Sequence, residues 1–175
     1  LITSLNKNVF AYGVSRLNHS SKHSVKDRGY LTIFDCNAYL INPIDWLKEV
    51  ERKELKGIGK LKLTTAIEVL QELLENRVEI KETEDGDYVF DERGTIVSFE
   101  QLSDGYRSTL LWLCDLLSRL ASQQPEVSAL KDYKAIVLVD EIGAFLHPRW
   151  AVALVKKLRN LFPNIQWIFT THSPI

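Results

Sequence analysis

The sequence has little cysteine, no methionine and no long apolar run, and each absence narrows the classes of protein that fit. Cys36 and Cys114 lie far apart in apolar surroundings, which argues against a disulfide framework or zinc knuckle and predicts reduced core thiols in a cytoplasmic protein. No apolar stretch is long enough to span a bilayer and no signal peptide is evident, so we expect no membrane association. The formal net charge of −1 excludes strong long-range attraction to nucleic acid. A chain that begins at Leu1 and contains no methionine predicts a piece of a longer protein.

The residues that are present suit one α/β domain. With 175 residues and 45% hydrophobic content, the chain has enough apolar side chains for one core. Helical spacing of apolar residues, and a two-residue alternation between 77 and 99, predict the element types. In the first part of the chain we expect a buried strand in 7–16, an exposed loop through Lys26 and helices over 44–55 and 63–76. Three short antiparallel strands in 77–99 follow, and then an amphipathic helix from Ser103 to Leu120. The last part is predicted to form a buried strand ending at Val139, a helix over 148–161 and a second buried strand over 165–171.

Two adjacent carboxylates, Asp140 and Glu141, follow the apolar run 136–139. In open parallel sheets, ligands bind beyond the carboxyl ends of the strands. An aspartate there can hold Mg²⁺, mostly through water, while the next residue faces the other side and can act on an attacking water. On these residues alone, a pair of exposed acids at a turn is an equally good interpretation.

A second apolar strand ends in Thr170-Thr171-His172-Ser173-Pro174. A strand–helix–strand unit of this length predicts a parallel crossover, which places His172 beside Asp140 and Glu141. A histidine there can donate a hydrogen bond to a phosphate oxygen or to water. Alone, His172 would be read as a turn histidine, but beside the two carboxylates a functional role is favoured.

The polar cluster Ser103-Asp104-Gly105 begins the longest predicted helix. Serine or aspartate at this position is ordinary N-cap chemistry. The same helix end offers free N–H groups to an anion, and a glycine lets the backbone approach it closely. The residues leave open whether the cluster only caps the helix or also binds phosphate.

The order of these motifs resembles the ABC-type ATPases of the SMC, RecF and RecN branch. LSDG at 102–105 is similar to the family's LSGG signature, IVLVDE at 136–141 resembles its Walker B strand, and His172 in FTTHSP matches its switch histidine. The runs VDEIGAFLHPRW and FPNIQWIFTTHSP, with AYGVSR near the start, are similar to the ATPases of bacterial anti-phage systems. These include the retron-associated and Septu ATPases and, more distantly, the OLD nucleases.

The resemblance implies an ABC-type P-loop NTPase fold with a parallel core sheet, antiparallel β hairpins and a helical subdomain. The chain would form only the C-terminal part of that ATPase, as one domain fragment over 1–175. Residues 1–99 would supply the helical and hairpin part, and residues 100–175 the signature, Walker B and switch-histidine part. The implied cofactors are ATP and Mg²⁺. The implied roles are metal binding by Asp140, catalysis by Glu141 and His172, and contact with nucleotide by Ser103, Asp104, Gly105 and Tyr106.

The chain departs from the family pattern at three places. Asp104 stands where glycine is usual, and it can point away, cap the helix or pair with Arg107. Tyr106 stands where glutamine is common and could contact the ribose or base. Phe145-Leu146-His147 replaces a small loop that often ends in aspartate, and His147 either substitutes for that residue or simply enters the next helix.

A GxxxxGK[ST] phosphate loop is missing from these residues. The segment 56–65 has glycines and lysines at the wrong spacing and is read as a turn between helices. The Walker A portion, with the lysine that would hold the phosphates, is therefore expected upstream of Leu1.

The function implied by the resemblance is ATP hydrolysis by a head-to-tail dimer, in which LSDG serves the ATP of the second subunit. Such a dimer would regulate a nuclease or toxin effector in anti-phage defence, and binding of DNA or RNA stays open. The alternatives are a non-hydrolysing ATP sensor or assembly scaffold, and a DNA repair ATPase like SMC or RecF. A metal-dependent nuclease using Asp140, Glu141 and His172 is disfavoured because it leaves LSDG unexplained.

Overall fold

The core sheet is parallel, as the crossover predicted. The computed structural model describes residues 8–22 and 28–172. Strands β1 (Val9–Tyr12), β7 (Ala135–Val139) and β8 (Ile165–Phe169) form this sheet in the order β1-β7-β8. Helix α5 (Pro148–Leu161) joins β7 to β8 over the bounds that the sequence predicts. The α/β class is confirmed, and the central strand β7 has a parallel neighbour on each side.

Helix α4 (Asp104–Gln123) is the main packing element of the domain. The sequence predicts an amphipathic helix, and the helix is present, but it is buried on nearly every side and even Trp112 is 1% exposed. This burial arises because helix α2 (Pro43–Leu55) and strand β3 (Leu40–Ile41) cover faces that would otherwise meet water. Even charged residues of α4, such as Asp115 and Arg119, are therefore buried.

Two further helices form where the sequence pattern predicts them. Asn42 caps α2, its Oδ1 accepting the N–H of Ile44 at 2.9 Å. Helix α3 (Leu63–Leu73) ends three residues before the predicted bound, because Glu75 and Asn76 adopt left-handed backbone conformations. A single helical turn, α1 (Leu31–Phe34), precedes them and was not predicted.

A separate antiparallel sheet contains β4 (Val78–Glu82), β5 (Tyr88–Glu92) and β6 (Thr95–Val97). Its two turns lie at Asp85-Gly86 and Arg93-Gly94, which interrupt the alternating sequence pattern. Arg93 and Gly94, with φ of 56° and 89°, form the second turn, for which glycine is well suited. The three predicted hairpin strands are confirmed.

Two predictions for the first 41 residues need correction. Cys36 is exposed, so only Cys114 is a core thiol. Part of the expected loop forms β2 (His19–Ser20), which pairs in parallel with β3. The parts of predicted segments that fall on Lys7, on 23–27 and on Ser173-Pro174 lie outside the described residues. In the described ranges, every helix is too short or too polar to cross a bilayer.

Candidate functional site

Polar side chains lie close together where strands β7 and β8 of the core sheet end. The ladder continues one residue past β7, since the N–H of Asp140 donates to the carbonyl of Tyr12 at 2.8 Å. On the other side, the N–H of Thr170 donates to Val139 and the N–H of Ile142 donates to Thr170. The backbone around Asp140 and Glu141 is therefore hydrogen-bonded to the end of β1 on one side and to the residue after β8 on the other.

Thr170 joins the two acidic residues directly. Its hydroxyl donates to Oδ1 of Asp140 and accepts the N–H of Glu141 at 2.8 Å. No role was predicted for this residue from sequence. The available signal was its register, because the residue that follows Phe169 lies beside the residue that follows Val139.

Glu141 has an unusual backbone conformation for a residue with a side chain. Its φ is +48°, in the left-handed region that costs most residues about 1 kcal/mol or more. The turn brings Oε1 of Glu141 within 3.6 Å of Nε2 of His172. The side chain of His172 is 97% exposed, while that of Glu141 is 22% exposed. The predicted proximity of the histidine to the acidic pair is present, and their chemical roles stay predictions.

Arg16 lies beneath this turn and is almost fully buried. Its Nη1 donates to the carbonyl of Asp140 and its Nη2 to the carbonyl of Glu141, each at 2.9 Å. Burial lowers the pKa of Arg16 to about 10, against the opposing effect of the Asp140 and Glu141 charges. The sequence gives no signal for this role, because the partners of Arg16 are 124 and 125 residues away.

The start of α4 packs against the loop that follows Glu141. A Cβ at Gly105 would come within 2.6 Å of the carbonyl oxygen of Phe145, so glycine is required for this contact. Ser103 occupies the N-cap position, but its hydroxyl makes no capping hydrogen bond. Ser103 and Asp104 are exposed. The side-chain capping predicted for this cluster is thus wrong, and the Ser103 hydroxyl is available for another contact.

Asp104 pairs with Arg107, which was one of three alternatives for this residue. Its Oδ1 lies 3.6 Å from Nη1 of Arg107, one helical turn away. Arg107 Nη1 also donates to the carbonyl of Glu100 at 3.4 Å. The unusual acid of LSDG is therefore partly neutralised within its own helix.

Tyr106 and His147 pack within the domain. The ring of Tyr106 is 5% exposed and lies 4.9 Å from that of Trp150, which favours a packing role. Its predicted contact with nucleotide stays a prediction. Nδ1 of His147 accepts the N–H of Arg149 at 3.3 Å, so the helix-entry interpretation is confirmed.

The donor set at the strand ends suits a metal that retains most of its water. In 8–22 and 28–172, no three His, Cys, Asp or Glu side chains converge on a metal-sized site. A protein cage for zinc or calcium is thus not formed there. Magnesium is commonly bound by one or two carboxylates together with water and substrate phosphates, and Asp140 fits that arrangement.

Residues 14–175 match the AAA_21 family, described as "AAA domain, putative AbiEii toxin, Type IV TA system". The chain belongs to this family. Together with the parallel sheet, the match shows an AAA-type P-loop ATPase domain.

Curated relatives of this AAA_21 chain include a Septu protein and two retron ATPases. The chain is 30% identical over 173 residues to the Septu protein PtuA of Bacillus mycoides (strain KBAB4), covering 95% of the chain and 23% of the relative. It is 37% identical over 100 residues to the Retron Vc95 probable ATPase of Vibrio cholerae serotype O1 biovar El Tor, covering 57% and 20%. It is 39% identical over 88 residues to the Retron Ec83 probable ATPase of Escherichia coli, covering 50% and 16%.

These relatives confirm the resemblance to Septu and retron-associated ATPases. The chain spans less than a quarter of the length of each of them.

Proposed function

We propose that this chain supplies the metal-binding and water-activating part of an ATPase that acts in anti-phage defence. The observation that carries the proposal is the geometry at the end of β7. Asp140 and Glu141 are held by Thr170 there, and His172 lies 3.6 Å from Glu141. The membership in AAA_21 and the relatives from Septu and retron systems support the choice of ATP and of the biological setting.

In the proposed mechanism each side chain has one task. Asp140 would hold Mg²⁺ through water, and the ion would supply positive charge that neutralises the phosphates. Glu141 accepts a hydrogen bond from the attacking water and orients it as a general base. His172 donates to the γ-phosphate, and its exposure leaves the ring accessible to nucleotide. The hydroxyl of Thr170 donates to one oxygen of Asp140, and this contact keeps the Asp140 carboxylate apart from that of Glu141.

The phosphate loop is proposed to lie outside residues 1–175. Among the described residues, β8 pairs with β7 on one side only. A strand added in parallel along its other side would bring the loop that follows it to the edge where His172 lies. The much greater length of the relatives leaves room for such a segment.

The start of α4 is proposed to serve the ATP of a second copy of the protein. Ser103 is exposed and its hydroxyl is not used for capping, while Gly105 is engaged with Phe145 of its own chain. ATP binding would close a head-to-tail dimer and hydrolysis would open it. The dimer would control a nuclease or toxin effector, its proposed partner in the defence system.

Phosphate release by the purified full-length protein, with and without Mg²⁺, tests this function. We expect magnesium-dependent turnover of ATP that needs no DNA. Tight ATP binding with negligible turnover would contradict hydrolysis and favour the sensor or scaffold. DNA cleavage that is lost in Asp140→Asn and is indifferent to ATP would instead establish the nuclease. Turnover that requires DNA would favour the repair ATPase.

A further inference from the structure

We propose that Arg16 is a positioning residue that fixes the directions of the Asp140 and Glu141 carboxylates from beneath the turn. This inference rests on the function proposed above. In that scheme Arg16 touches neither substrate nor metal. It sets the geometry of Asp140 and Glu141, which do.

The guanidinium donates to backbone oxygens and not to the two carboxylates. Its hydrogen bonds go to the two consecutive carbonyl oxygens of Asp140 and Glu141, at 2.9 Å each. The N–H groups of the same two residues are held by Tyr12 and Thr170. Every backbone polar group of Asp140 and Glu141 therefore has a partner, which sets the direction in which each Cβ projects.

The strained conformation of Glu141 explains why such restraint is needed. A residue at a φ of +48° persists only where surrounding contacts favour it over ordinary conformations. If the carbonyl of Glu141 were released, its peptide plane could rotate toward an unstrained state. That rotation would move the carboxylate away from the position facing His172.

The burial of Arg16 also argues for a positional role. Within 8–22 and 28–172, Arg16 donates hydrogen bonds only to neutral carbonyl oxygens, and its Nε has no partner. Burying a cation with such partners is unfavourable. An apolar side chain of similar size would suit a role in packing alone. The flat fork with two parallel N–H donors is the feature that only arginine provides.

Arg16→Lys keeps the positive charge and removes the fork. A single ammonium cannot reproduce two parallel bonds to successive carbonyls. The matched control is Arg119→Lys, since Arg119 is also buried but its Nε donates to Asp115 at 2.6 Å, within α4. Both variants are made in the full-length protein. The measurements are the ATP affinity without Mg²⁺, kcat, the Mg²⁺ concentration for half-maximal rate, and amide hydrogen exchange over 139–143.

We expect Arg16→Lys to lower kcat by about 10- to 100-fold, as loss of a supporting contact does, and to leave magnesium-free ATP affinity within about twofold. The half-saturating Mg²⁺ concentration and hydrogen exchange over 139–143 should both rise. Arg119→Lys should change neither of these two quantities, whatever it does to the unfolding temperature.

Exchange over 139–143 that stays at the wild-type rate in Arg16→Lys, or rises equally in Arg119→Lys, would overturn the positioning role. An unchanged kcat in Arg16→Lys would overturn it as well. If the wild-type protein has no turnover at all, the proposed function fails, while hydrogen exchange still decides whether Arg16 restrains the turn.

Discussion

At the scale of single residues, Thr170 shows how one hydroxyl can hold a site together. It donates to one oxygen of Asp140 and accepts the N–H of Glu141, so each residue keeps a defined orientation. Valine has nearly the same shape but offers neither bond. The orientation of both acids should thus depend on this hydroxyl and not on the bulk of the side chain.

We therefore predict that Thr170→Val lowers kcat by about 10- to 100-fold with little change in ATP affinity, the usual cost of removing a supporting partner. Steady-state phosphate release and nucleotide titration of the full-length protein measure the two quantities. Thr95→Val, at an exposed position in β6, is the matched control. Equal kcat values for the two variants would show that the hydroxyl is dispensable.

Arg16 and Thr170 also mark the limit of prediction from sequence at this scale. Asp140, Glu141 and His172 could be found because each stands next to its strand along the chain. Arg16 reaches partners more than 120 residues away, and nothing in its local sequence distinguishes it from a surface arginine. Arg16 comes close to Asp140 and Glu141 because β1 and β7 pair in parallel and end side by side.

At the scale of elements, the contact between the start of α4 and the loop 143–146 links Ser103-Asp104-Gly105 to the turn at Asp140 and Glu141. Gly105 makes this contact possible, since a Cβ there would lie 2.6 Å from a backbone oxygen that cannot move aside easily. The helix would have to tilt or the loop to shift.

Gly105→Ala should therefore destabilise the domain by about 1–3 kcal/mol, the usual range for overpacking a tight contact. Gly143→Ala is the control in the same loop, because its new Cβ would meet neighbouring atoms at 3.7 Å and 3.8 Å, which is ordinary contact. Thermal unfolding of the full-length variants measures the difference. A larger loss for Gly143→Ala would contradict this account of the packing.

Elements defined by local patterns were the ones that sequence could predict. The turn at Arg93-Gly94, the proline that starts α5 and the apolar runs of β7 and β8 each carry their own signal. The burial of α4 carries none, because it depends on α2 and β3 lying against it. Asp115 illustrates the point: it is fully buried and accepts hydrogen bonds from Tyr12 and Arg119, and Tyr12 lies 103 residues away along the chain.

At the scale of the whole molecule, the proposal requires two copies of the protein. Ser103 would complete the site that contains Glu141 of the other subunit. If one subunit carries a substitution at Glu141 and the other a substitution at Ser103, both substitutions should affect the same site and leave the second site intact. If Ser103 instead acts on the ATP of its own chain, both sites should be damaged.

We predict that mixed dimers of Glu141→Gln and Ser103→Arg retain about half of the wild-type turnover, because a two-fold dimer has two equivalent sites and one of them stays intact. Each homodimer should be nearly inactive. Co-expression with two different affinity tags isolates the mixed dimer for phosphate-release assays. Turnover no higher than that of the homodimers would show that Ser103 acts on the ATP of its own chain.

Phosphate release by full-length Glu141→Gln, measured with ATP affinity on the same sample, tests directly whether Glu141 is the general base. We predict that turnover falls by about 100-fold or more, the contribution expected of a general base, while ATP still binds and the closed dimer accumulates. Glu92→Gln, in the hairpin sheet, should behave as wild type. If Glu141→Gln hydrolyses ATP at the wild-type rate, Glu141 is not the general base and the end of β7 is not the hydrolytic site.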